Sequence, residues 1–141
     1  MFSKPDCGWV KFTLGDFKAT PSYLTDTPMD CVNAFISTIE NKLPTSVWFD
    51  EEGNEFLLIL SEYNRIFIIH NISNEPAKLY EYNIDHRKLA IEFLDDMGRY
   101  FDDFTNPYFY TFVDENEANI RINQLSEKLY NLQDLVENYR V

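Results

Sequence analysis

Most of the side chains in this sequence that could do chemistry are carboxylates, and two clusters of them stand out. Glu92, Asp95, Asp96, Asp102 and Asp103 recur with Arg99 at spacings of three, four and seven, so a helix would bring them to one face. Glu51, Glu52 and Glu55 surround Gly53 in the run Asp50-Glu51-Glu52-Gly53-Asn54-Glu55. Paired carboxylates divide acid and base roles only where their environments push the two pKa values apart, and adjacent aspartates on a solvated helix face have no apolar pocket to do so. The second cluster lacks the alternating Asp/Asn ligands and distal Glu of a calcium loop. Electrostatics is what remains. Either Asp95, Asp96, Asp102 and Asp103 face a cationic partner, or they form a solvated surface on which Arg99 bridges Asp95 and Asp103. The same alternatives hold for Glu51, Glu52 and Glu55, as binding residues or as a polar hairpin tip.

A third group is aromatic. In Tyr108-Phe109-Tyr110-Thr111-Phe112 the alternation places Tyr108 and Tyr110 opposite Phe109, as outward anchors ringed by acids or as part of a core plug. Other chemistry finds little support. Cys7, Cys31, His70 and His86 include no close pair to nucleate a metal site. The glycines at 8, 15, 53 and 98 form no phosphate-cradling loop, and neither His-Glu-x-x-His nor Gly-x-Ser-x-Gly occurs. The expectation is a non-enzymatic protein without cofactor or metal, its two cysteines remaining thiols.

Charge gives that expectation a direction. Of 24 acidic residues, 16 fall within residues 50–117 against five basic ones, a balance of 5 − 16 = −11, while the flanks come to −1 and 0. Concentrated charge makes a directional field that steers cationic partners and repels anionic ones. With −12 overall, nucleic acid and anionic membrane surfaces are excluded as expected ligands. No apolar run approaches the ~20 residues of a membrane span, and the first residues do not read as a secretion signal, so a cytoplasmic protein is expected. The 141 residues, 45% hydrophobic and 16% aromatic, suit one domain, 1–141, with a substantial core.

The elements that must position these groups follow from periodicity. Trp9 to Leu14 alternates as a strand; Asp26-Thr27-Pro28 starts a helix that Pro44 ends; strands are expected at 47–49, 56–60, 66–69 and 79–84. The runs 56–60 and 66–69 do not alternate, which predicts central strands covered on both faces, with helices on both sides. Residues 85–104 carry a helical stripe in which Gly98 points to tight packing. Ala118, Ile122, Leu125, Leu129, Leu132, Val136 and Tyr139 form a heptad seam, either packed on the chain's own domain or serving a homodimer through residues 118–139. The fold class is α+β with a mainly antiparallel sheet, in the order β-α-β-β-β-β-α-α.

The layout of residues 9–69 carries a resemblance. A Trp-led strand, Pro21-Ser22-Tyr23-Leu24, a capped helix and Val47-Trp48-Phe49-Asp50-Glu51-Glu52-Gly53-Asn54-Glu55-Phe56 together resemble the small acidic immunity proteins of bacterial toxin–immunity systems. That resemblance implies stoichiometric binding and neutralisation of a cognate toxin, often a nuclease. The reading from another class is a homo-oligomeric structural or regulatory module assembled through the C-terminal helix.

Overall fold

The two unalternating apolar runs become the inner strands of a four-stranded antiparallel meander, in the order β3 (Thr45–Asp50), β4 (Glu55–Leu60), β5 (Arg65–Asn71) and β6 (Lys78–Asn83). They are preceded by β1 (Phe12–Leu14), β2 (Phe17–Ala19) and α1 (Thr27–Ile39), and followed by α2 (His86–Phe104) and α3 (Glu115–Asn138). This is an α+β fold, seen in a computed structural model that describes residues 1–106 and 114–138. Tyr108, Tyr110 and Tyr139 lie outside the described residues.

One strand expected near the N-terminus is a hairpin instead. Gly15 and Asp16 fit between the paired Leu14 and Phe17 as a two-residue turn, with Gly15 at φ +55°, where a side chain would be strained. A Cβ on Gly15 would also stand 2.7 Å from the Tyr82 ring, so β6 packs directly onto this turn. The Tyr82 hydroxyl donates to Asp16 at 2.5 Å; burial, and then this bond, push the phenol up to about 12. Residues 1–3 lie beside β1, with Ser3 N–H donating to the Lys11 carbonyl and Thr13 N–H to that of Met1.

Helix α1 begins as its sequence demands, the Asp26 carboxylate accepting from Met29 N–H and Pro28 occupying the first turn. It ends at Ile39, ahead of Pro44, because Asn41 takes a left-handed conformation (φ 62°). Its buried face offers Val32 and Phe35 to the core, and α1 meets β3, α2 and α3. Eight phenylalanines, Phe35 of α1 among them, interlock in this core. Phe49 and Phe56 stack at 4.4 Å, Phe12 lies 5.2 Å from Phe56, Phe2 6.3 Å from Phe93, and Phe93 5.2 Å from Phe35. Such pairs add about 0.5–1.5 kcal/mol each beyond the area they bury.

Only one face of the sheet is covered by this core. Val47, Phe49, Phe56, Leu58, Leu60, Ile66 and Ile68 are buried, while their neighbours on the other face remain partly or largely exposed. The expectation of helices on both sides is therefore corrected: α1, α2 and α3 pack on the core side, and among the described residues no helix covers the opposite face. Gly98 is a second correction. A Cβ there would meet nothing within 4 Å, so no close approach requires it; it precedes a break at Tyr100 (φ −120°) that bends the end of α2. Along α3, Leu125, Leu132 and Val136 are buried and Leu129 is partly so. The heptad seam thus faces the chain's own core, leaving Ile120 and Tyr130 as the exposed apolar side chains of that helix.

Candidate protein-binding surface

Asp85 caps α2, accepting from Arg87 N–H at 2.8 Å, and the apolar stripe Leu89, Ala90, Phe93 and Met97 fixes the helix's rotation. That rotation sorts its acids. Asp95 and Asp102 point to solvent. Asp96 does not: it is 7% exposed, accepts the Phe2 N–H at 2.8 Å and sits 3.3 Å from the Met1 amino group. Glu92 holds the same amino group at 2.6 Å, and Asp103 lies 3.9 Å from the Lys4 ammonium. Part of the stripe therefore clasps the chain's own first residues. Asp96 is corrected from a partner-facing residue to an internal tether, because the position directly following an exposed Asp95 falls on the buried edge of the apolar stripe. Arg99 lies over the Tyr100 ring at 5.8 Å and makes no ion pair with Asp95 or Asp103 among the described residues.

The hairpin cluster is divided in the same way. Glu52 and Gly53 take positive φ at the tip, and Asp50 accepts the Glu52 N–H at 2.6 Å. Glu52 is exposed. Glu51 turns toward the core side and meets His70 Nε2 at 2.8 Å, beside the Phe17 and Phe56 rings. Glu55 turns to the open side, accepting from the Trp48 indole N–H at 2.6 Å and from Asn71 at 3.3 Å. The two acidic clusters do not merge: Glu55 edges the open face of the sheet, whereas α2 lies on the core side.

The largest feature that sequence reasoning missed is that open face. Strand register lines up Trp48, Leu57, Ile69 and Leu79 in one row across all four strands, with Ile59 and Phe67 paired in the next. Trp48 is 46% and Leu79 66% exposed. At the acidic end Asp50, Glu55 and Asn71 form the adjoining row. At the other end Arg65 pairs with Glu81 at 2.8 Å and lies over the Phe67 ring at 5.1 Å. The turn beyond it presents Tyr63, 85% exposed with φ 59°, a left-handed conformation that is an outlier for a bulky side chain. The signal is present in the sequence as the unalternating runs, a pattern that also fits strands covered by helices on both faces.

Among the described residues no three His, Cys, Asp or Glu side chains converge as metal ligands would. Cys7 is exposed, whereas Cys31 is buried in α1, where burial raises its thiol pKa well above the usual value. His86, in the first turn of α2, is buried enough to lower its imidazole pKa. Among the described residues no helix is long and apolar enough to cross a membrane. Comparison with protein-family models, curated proteins and solved structures gives no match for this chain.

Proposed function

We propose that this protein is a non-enzymatic acidic binding protein that captures a cationic protein partner, in the manner of an immunity protein neutralising its toxin. The observation that carries the reading is the −11 balance of residues 50–117, much of it exposed on the surface. Glu52 at the hairpin tip and Asp95 and Asp102 on α2 are its solvent-facing representatives. A nuclease surface must be cationic to hold a phosphate backbone, so an acidic protein gains both encounter rate and selectivity against it.

Salt dependence tests this. The Debye length contracts from ~10 Å at 0.1 M to ~3 Å at 1 M, so steered association slows with salt while dissociation changes less. With the partner isolated from the native host, Glu52→Lys, Asp95→Lys and Asp102→Lys combined should slow association at least tenfold at low salt. The same triple variant should flatten the salt dependence. Equal association rates for wild type and variant at every salt concentration refute the proposal. Asp96 stays out of this variant because its reversal would break the N-terminal tether.

A further inference from the structure

The open face of the sheet presents a contradiction between pattern and environment. Antiparallel strands with one solvated face alternate apolar and polar side chains, whereas unbroken apolar runs belong to strands covered on both faces. Strands β4 and β5 carry the second pattern in the first environment. Leu57, Ile59, Phe67 and Ile69 face outward, and Trp48 and Leu79 extend the patch to both edge strands. From strand spacing and rise, each outward position occupies about 33 Å², so these six side chains cover about 200 Å² in one contiguous patch that spans all four strands.

Charge decides between occupants. One end of the face carries Asp50 and Glu55, with Glu52 on the adjoining loop; at the other end Arg65 is neutralised by Glu81 at 2.8 Å. The excess is negative. A standard interface needs about 800 Å² per partner, roughly four times the apolar face, so any occupant must extend over the surrounding surface. For a second copy of this chain, that means bringing together two molecules of charge −12 each. For a cationic partner, the same surface is complementary.

We infer that the Trp48–Leu57–Ile69–Leu79 row is the docking centre for a cationic protein segment in which an apolar stretch is flanked by basic residues. The apolar residues lie across the row and the basic ones reach Asp50, Glu52 and Glu55. This rests on the acidic-binding reading above and places its apolar contact on the sheet rather than on α2. Trp48 and the carboxylates are already linked, since Glu55 accepts from the Trp48 indole at 2.6 Å. A basic group arriving at Glu55 therefore changes the surroundings of a fluorescent reporter.

Three nine-residue peptides test it, each a central stretch with charged ends: leucine flanked by lysine, serine flanked by lysine, and leucine flanked by glutamate. Binding is followed by Trp48 emission in a Trp9→Phe background and by tryptophan-independent calorimetry. The leucine–lysine peptide should bind at least tenfold more tightly than either other peptide and shift Trp48 emission. Leu79→Ser, at an exposed edge position, should keep the wild-type circular dichroism spectrum and cost that peptide about tenfold. If the serine–lysine peptide binds equally well and leaves Trp48 unmoved, the docking face is overturned and the acidic reading stands. If the leucine–glutamate peptide binds equally well, the assignment to a cationic partner is overturned. If neither lysine peptide binds, both inferences fall. A dimer in sedimentation that Leu79→Ser dissolves would instead assign the face to a second copy.

Discussion

Asp95 and Asp96 are adjacent in sequence and opposite in environment, so truncating each to alanine should have very different costs. Asp96 accepts the Phe2 N–H at 2.8 Å, and both residues are nearly enclosed, Phe2 at 5% exposure. A hydrogen bond to a charged group contributes ~1.5–3 kcal/mol, and leaving a buried donor without its acceptor costs ~1–3 kcal/mol. The two effects overlap rather than add, giving about 3 kcal/mol for Asp96→Ala. For a chain of this length, that lowers Tm by about 10 °C. Asp95→Ala, on an exposed helix face, should stay within about 0.5 kcal/mol of wild type. Asp96→Asn keeps an acceptor in place without the charge and should fall between them. Urea unfolding supplies the energies, and hydrogen exchange locates them: the Phe2, Ser3 and Thr13 amides should lose protection in Asp96→Ala and keep it in Asp95→Ala. If the two alanine variants unfold within 0.5 kcal/mol of each other, Asp96 is not a tether and the sorting of the α2 acids is wrong.

Two further predictions concern the helices. Leu132→Ala should cost about 2–5 kcal/mol, as for a fully buried leucine, and Leu129→Ala distinctly less, because Leu129 lines an open groove with Leu94, Met97 and Phe101; chemical denaturation of both variants checks the order. His86 is held in its neutral form by burial, so its folded pKa lies below the ordinary 6.5 of the unfolded chain. Between those two values the unfolded state binds more protons, so stability should decline as pH falls below about 6.5 and level off beneath the folded pKa. His86→Gln should flatten that decline in denaturation midpoints measured from pH 7.5 to 5.

What could be read in the sequence was whatever depends on near neighbours. The cap at Asp26, the inner strands at 56–60 and 66–69, the stripe of α2 and the seam of α3 all follow from residues a few positions apart. What could not be read depends on distant ones. Asp96 looks like Asp95 until Phe2, 94 positions away, is laid beside it. Glu51 and Glu55 belong to one acidic loop, yet the pleat sends one to His70 and the other to Trp48. The β1–β2 hairpin was legible in principle, since Gly15-Asp16 between two apolar residues is a turn signal, but strands of three residues give alternation too little length to register. The outward apolar rows were visible too. Sequence reasoning covered them with helices because a single chain offers no other cover.

The clasp on α2 has a kinetic meaning as well. The meander joins each strand to the next through a short turn, so its contacts are local and can form early. Residues 1–3 can lie beside β1 early, but Met1 and Phe2 reach Glu92 and Asp96 only after α2 exists, across more than ninety positions of chain. Contacts of such wide separation form late, and late contacts govern unfolding more than folding. The Asp96–Phe2 bond then works as a latch: cutting it should leave the refolding rate nearly unchanged and accelerate unfolding, shortening the lifetime of the native state.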